Sequence, residues 1–431
     1  MPSKSGKRKN PLASTRRFEW RNGFDSSLIL AKFASIRKID NSRSCSFDAF
    51  EYAFWLPILK TAINAESNIG SLADRCIRSA LSDAKLTLNN PATFLERCER
   101  AYDKLATPQK TKFVVYSTVT YTGQKPINWL KLGDIRIQWQ PSEKSKFSRT
   151  SLKARESLSH LLKSRRVSNQ TNGLTVVLVH LSAQNANEAQ QRATDAFDLV
   201  RGLLNLLVNS SRSINPFAEL TPPHAINRFR RGPFHTVHKQ DGNLALEMFW
   251  YQPRWEHEHQ SVKFKDVESY RRSVVKWWEK IERNPLRNHI RSGLLRYCRA
   301  LDQHEFDAAL LEMWGALEFL TGTQNEKYDV TVSRIERLFK DREDARLIAN
   351  HVRIRRNLSI HAAKSLEVSE SDAVLMHADI LVRQILFFCI RESGRFSNKD
   401  ELFEFLDVSY DERAFKRKIR LSKFFFEYQK R

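Results

Sequence analysis

Along the chain the spacing of apolar positions changes twice, and each change marks a new kind of element. From Ser46 a Phe-rich helical pattern opens with Phe47, Phe50 and Phe54, and helical stretches continue to about Leu105. Pro57, which has no amide proton to give, is expected to bend or end the first of these helices. The period then drops towards two. Phe113 to Thr122 is β-branched and aromatic, and Ile135, Ile137 and Trp139 alternate with Arg136, Gln138 and Gln140, the pattern of a half-buried strand. A basic helical piece with Lys163, Arg165 and Arg166 follows, then a nearly continuous apolar strand from Leu174 to Leu181. Ala189, Ala193, Ala196, Phe197, Val200, Leu204 and Leu207 return at helical spacing, so one face of that helix is core. A last β-like segment runs from Leu244 to Trp250. The fold class predicted over residues 41–265 is α+β.

The remaining third reads as helix throughout. Trp277, Trp278 and Ile281 precede Pro285, and Ile290, Leu294, Leu295, Cys298 and Leu301 form an apolar stripe. Asp302 and Glu305 have the offset of an N-cap and its N3 partner, ahead of a helix through Leu310, Met313, Trp314, Leu317 and Leu320 that stops at Gly322. Ser333 and Glu336 repeat the capping pattern. A helix from Ser369 or Ser371 passes through Val374, Leu381, Ile385, Leu386 and Phe388 to Gly394, completing a bundle of four to five helices over residues 266–395. Residues 1–40 are read as a basic, flexible arm with Lys4, Lys7, Arg8, Lys9, Arg16 and Arg17, and residues 396–431 as a basic helical tail.

Charge adds a partner to this outline. Lys and Arg number 72 against 49 Asp and Glu in 431 residues, a formal charge of +23, which favours a polyanion: nucleic acid or an anionic membrane surface. No apolar run approaches the ~18 residues that span a bilayer, and no secretory h-region follows the basic start. A soluble cytoplasmic protein with RNA rather than a membrane as partner is expected. The five cysteines (Cys45, Cys76, Cys98, Cys298, Cys389) form no C-x-x-C pair, so neither a zinc site nor a disulfide framework is legible. His257 and His259 lack a third ligand, and no metal or cofactor is expected. With 13 glycines and no Gly-rich phosphate loop, a nucleotide-driven motor or kinase has no support. The run Arg228-Phe229-Arg230-Arg231 interleaves cations with a ring, as suits phosphate contact and base stacking; a solvated loop has the same composition.

The densest chemistry lies in Arg353-Ile354-Arg355-Arg356-Asn357-Leu358-Ser359-Ile360-His361. An imidazole can take a proton from a ribose 2′-OH or return one to a leaving 5′-oxygen, and a forked guanidinium can hold the phosphate as its charge grows. An Asn can orient either group. At about 100° per residue Arg353, Asn357 and His361 share a helix face, whereas Arg356 and His361 diverge by roughly 140°. Either the helix unwinds between them or a second copy completes the site. Glu318 is the one carboxylate in an apolar stretch, and Arg353 or Arg356 is its natural cation; a solvent-facing position would need none.

Arg356-Asn357-Leu358-Ser359-Ile360-His361, preceded by Ala316-Leu317-Glu318-Phe319-Leu320 and followed by a long apolar helix, resembles the HEPN superfamily, in particular its ApeA-like branch, over about residues 287–392. The resemblance implies an all-α HEPN-like bundle whose R-x(4–6)-H motif forms a metal-independent endoribonuclease site at a homodimer interface, in antiviral abortive-infection or toxin systems. By it Arg356 and His361 are the catalytic pair, Asn357 the polar residue beside the Arg, and Glu318 a supporting acid. Arg353, Arg228, Arg230 and Arg231 are the expected RNA contacts. A phage-derived trigger or an antitoxin would be further partners, and the 41–265 domain would sense the trigger or select the RNA. The competing classes are a non-catalytic HEPN-type RNA-binding or adaptor protein, and a DNA-binding regulator, whose affinity would fall steeply with salt.

Overall fold

The computed structural model describes residues 17–429 except 67–68, 70–71, 106–109, 122, 128, 166, 168–172, 210–225, 253–254, 256–263, 265, 325, 362–367, 393 and 409–410; the side chains of residues 129, 360–361 and 368–372 are also outside the description. Most of the basic N-terminal run, His257 and His259, and the Ser369 and Ser371 side chains therefore lie outside the described residues. The chain divides into two compact units, residues 1–110 and 111–431.

The first unit is a small α/β assembly: β1 (Phe18–Trp20), α1 (Ser26–Ile36), β2 (Arg37–Ile39), β3 (Cys45–Phe47), α2 (Ala49–Ala62), β4 (Ile63–Ala65), α3 (Leu72–Leu81) and α4 (Pro91–Leu105). β1 pairs antiparallel with β4 and β2 with β3. Asp25 and Asp48 cap α1 and α2 by accepting from Leu28 N at 2.9 Å and Glu51 N at 3.0 Å. Residues 17–40, expected as a flexible arm, are thus ordered elements, because Phe18, Leu30 and Phe33 are fully buried with Leu59, Phe94 and Cys98. Pro57 does not end its helix. It sits on the exposed side of α2.

The second unit begins with β5 (Thr111–Val119), β6 (Trp129–Leu132), β7 (Ile135–Trp139), α5 (Lys146–Glu156), α6 (Ser159–Ser164), β8 (Thr175–Ala183), α7 (Ala186–Val208), β9 (Phe234–His238) and β10 (Trp250–Tyr251). The strands form one antiparallel sheet in the order β10-β9-β5-β8-β7-β6. Its long central pair runs in register from Thr111 opposite Ala183 to Val119 opposite Thr175. Of the strand expected at Leu244–Trp250 only Trp250 lies in a strand, β10, with an isolated bridge at Leu244, and β9 follows the Arg228–Arg231 run, where no strand was expected.

Helices α8 (Val267–Glu282), α9 (Arg287–Ala300), α10 (Phe306–Thr321), α11 (Tyr328–Glu336), α12 (Arg342–His361), α13 (Val368–Arg391), α14 (Lys399–Leu406) and α15 (Glu412–Gln429) follow. A mixed α/β N-terminal region is thus followed by a largely helical C-terminal one. The boundary expected near residue 265 is not a division between cores: one buried cluster runs from Phe113 through α7 to Leu406. α7 is the reason, since it packs on the sheet and on α9 at once. Its Gly202 permits the second contact, for a Cβ there would stand 2.6 Å from the Leu294 carbonyl oxygen.

Gly322 ends α10 in the left-handed conformation at φ +69°, as its position predicts. The two capping pairs read otherwise. Asp302 precedes the cap position and turns inward to Arg201, and Glu336 ends α11 and accepts from Arg346 at 2.5 and 2.8 Å. Among the described residues one helix segment, Ala373–Arg391 of α13, is long and apolar enough to cross a bilayer; more than half of it is buried in the bundle. Asp379 and Arg383 interrupt its sequence, and Asp379 accepts from Tyr297 Oη at 2.8 Å inside the core.

Candidate functional site

α10, α11 and α12 bring together most of the residues singled out in the sequence. α12 is continuous helix from Arg342 to His361, so its last two turns carry Arg353, Arg356, Asn357 and position 361 on an unbroken backbone. The side chain of His361 lies outside the described residues. Arg356 is half-buried, with its guanidinium carbon 4.9 Å from the centre of the Tyr328 ring. Its Nη1 donates to Tyr328 Oη at 2.8 Å and to Asn357 Oδ1 at 3.1 Å. The Tyr328 ring and hydroxyl and the Asn357 amide oxygen together hold the cation, a set of contacts that the planar fork of Arg meets at once.

Behind Tyr328 the contacts run into α10. Trp314 meets the Tyr328 ring edge to face at 5.9 Å, and Trp314 Nε1 donates to Glu318 Oε1 at 2.7 Å. The carboxylate expected beside an arginine is therefore satisfied by an indole, one turn away on its own helix. Its link to Arg356 passes through two aromatic rings. Arg353 pairs with Asp329 at the start of α11, and Ser359 Oγ donates to Asp307 in the first turn of α10. Tyr328, Trp314, Asp329 and Asp307 were not legible as site residues. Tyr328 and Trp314 precede Arg356 by 28 and 42 positions in the sequence, and no motif spans that distance.

On the opposite side of α12, Leu347, Ile354 and Leu358 are 69, 52 and 37% exposed. At about 100° per residue they form one stripe, with position 361 within about 60° of each and Arg356 roughly on the reverse face. His351 belongs to the same side and meets His377 of α13 edge to face at 5.5 Å. Burial, helped by Arg355, lowers the His351 pKa; burial, helped by His351, lowers that of His377.

The Arg228–Arg231 run stands apart from this cluster. Arg230 is 4% exposed and its Nη2 lies 2.8 Å from His304 Nε2; Arg231 Nε is 3.2 Å from the fully buried Asp198. Arg228 is half-buried, and its backbone is fixed by Asn205 Oδ1 at 3.1 Å. Arg230 is thus buried and Arg231 largely covered, in a segment that leads into β9 between β10 and β5. The hub there is Arg201, with no exposed surface, whose Nη2 lies 2.6 Å from Asp198 and 2.7 Å from Asp302. Asp198, Asp302 and Cys298 have donor atoms within 4.8 Å of one another, yet the guanidinium already holds the cation's place between the carboxylates.

Nearby, burial drives His235 well below the usual imidazole pKa, with Arg231 and Arg155 adding to the effect. His238 is brought down to about 4 by burial, against a partial restoring hydrogen bond from its Nδ1 to the Gly242 carbonyl at 2.7 Å. These groups are structural: they join α7, α9 and β9. No family model, curated protein or solved structure matches the chain.

Proposed function

We propose that this protein is a metal-independent endoribonuclease of HEPN type, in which Arg356 and His361 of α12 act on the scissile phosphate and a second copy completes the site. The observation that carries the reading is the side-on clamp of Tyr328 and Asn357 on Arg356, five residues before His361 on the same helix. A guanidinium that only solvated the surface would have no need of such a holder. The reaction requires one group to take the 2′-OH proton, so that the 2′-oxygen attacks phosphorus, and another to protonate the departing 5′-oxygen. Each copy has one imidazole at position 361. Two copies supply acid and base, and the products are a 2′,3′-cyclic phosphate and a 5′-hydroxyl. The exposed stripe Leu347, Ile354 and Leu358 supports a homodimer through α12 that would bring the two 361 positions together, while Arg356, on the reverse face, would have to meet the phosphate from outside that seam. Asp198, Arg201 and the histidines of β9 take no part in this chemistry. Glu318 and Trp314 act at one remove, by positioning Tyr328.

A second reading is favoured by the same contacts: with Nη1 engaged inside its own chain, Arg356 would serve structure, and the protein would bind RNA without cutting it, as an adaptor. Incubation with total tRNA and rRNA in EDTA separates the two. Cleavage is expected to survive the chelator and to fall about 10²–10⁴-fold in His361→Ala, the usual range for a general acid–base group. Full activity of that variant, or loss of wild-type activity in EDTA, would remove this mechanism; binding without cleavage would select the adaptor.

A further inference from the structure

α15 is an 18-residue helix with no buried side chain. Leu421, Phe424, Phe425 and Tyr428 fall in one arc of about 100°, and Phe415, Ile419 and Phe426 in a second arc of about 40°. Their exposures run from 39% for Phe415 to 65% for Phe426 and Tyr428. Arg413, Lys416, Arg420 and Lys423 share the arc facing away from most of these rings, while Arg417 falls within the first apolar arc, between Phe424 and Tyr428, and Lys418 between the two arcs. Only Glu412 and Glu427 oppose these six cations, and Glu412 is already paired with Lys416 at 2.6 Å. A helix of this length is marginal in water by itself, and so large an apolar surface is unusual on a monomer.

The occupant must satisfy rings and cations together. Nucleic acid would neutralise the charge and leave the aliphatic and aromatic arcs largely in water. A second α15 would cover the arcs but set one cationic row against another, and the apolar side is too wide for the narrow seam of a coiled coil. An anionic bilayer meets both demands, since acyl chains accept the rings while Lys and Arg reach back to the headgroups. We propose that α15 lies in the interface of an anionic phospholipid membrane and tethers the protein there. The proposal uses no residue of the cleavage site.

The test is co-sedimentation of the full chain with vesicles of phosphatidylcholine alone and of phosphatidylcholine with phosphatidylserine. Binding is expected to the anionic vesicles and to weaken with salt. At about five-fold per cation, Lys416→Gln with Lys423→Gln should weaken it about 25-fold. Phe424→Ser with Phe425→Ser should abolish what salt leaves. Because α15 contributes nothing to the core, unfolding curves of all variants should overlay the wild type, which keeps a loss of binding interpretable. Equal sedimentation with both vesicle types, or none with either, overturns the proposal. So does a serine pair that leaves lipid binding intact while it abolishes binding of a single-stranded RNA probe or reduces the mass of a self-associated species.

Discussion

Ile354→Asp puts a carboxylate at the centre of the exposed stripe on α12. Leu347, Ile354 and Leu358 together leave about one and a half side chains of apolar surface in water on each copy, given exposures of 69, 52 and 37%. At ~2 kcal/mol for a fully buried Leu or Ile, closing the stripe against a second copy contributes about 3 kcal/mol per copy and about 6 kcal/mol per pair. Association itself costs roughly 4–15 kcal/mol. On the proposed reading the stripe by itself would give at most a weak, concentration-dependent dimer, one that RNA lying across both copies would tighten. The Asp removes about 1 kcal/mol of burial per copy and brings two like charges into a closing interface, where unpaired charge is costly. Cleavage at a fixed low protein concentration should fall more than about tenfold and recover in part as concentration rises. Ile354 is exposed, so the stability of one copy should move by less than about 0.5 kcal/mol. Sedimentation velocity over a dilution series, run beside the cleavage assay, tests both halves. An unchanged mass distribution together with unchanged cleavage would refute the stripe as an interface and place the whole site in one chain.

Three further outcomes follow from particular contacts. Tyr328→Phe keeps the ring under Arg356 and removes the hydroxyl 2.8 Å from Nη1, so cleavage should drop about five-fold, ~1 kcal/mol for a half-exposed charged hydrogen bond, with the melting temperature nearly unmoved; a wild-type rate would show that the clamp does not orient the cation. Arg201→Met leaves Asp198 and Asp302 without their central cation, and urea unfolding should register a loss of about 3–5 kcal/mol, whereas a loss under 1 kcal/mol would mean that Arg231 and Arg299 suffice. His238, held at about 4, stays neutral in the folded state while the unfolded chain binds a proton below about 6.5; its contribution is complete above that pH and is lost as pH falls towards 4, by about 3 kcal/mol. His238→Gln should therefore lose less stability than wild type between pH 7 and 4.5, as measured by urea unfolding, and parallel losses would show that carboxylates alone set the acid limit.

Local pattern determined much of this molecule. The strands around Phe113, Ile135 and Leu174, the helix from Ala189, the stop at Gly322 and the helical run after residue 266 are all encoded by spacing within a dozen residues, where burial of one face fixes the period. A helical region leading to Arg353, Arg356, Asn357 and His361 was legible, but its continuity through position 361 was left open by the sequence and is decided by the structure. Tertiary structure decided what those elements face. Residues 18–40 were joined to the basic run before them although Phe18, Trp20, Leu28, Ile29, Leu30, Phe33 and Ile36 are apolar, and their closure against α2 and α4 makes Phe18, Leu30 and Phe33 a core. Arg230 and Arg231 have the composition of a solvated loop, and only the insertion of β9 beside β5 turns them inward to His304 and Asp198. Asp302 and Glu336 look like caps because the capping offset is local, whereas the arginines that claim them, Arg201 and Arg346, arrive from other helices. Arg356 is likewise a bare cation in the sequence, and its holder Tyr328 reaches it only because α11 folds back along α12. A period records which side of an element is apolar; the partner that covers a charge comes from far along the chain, and its position is set by packing.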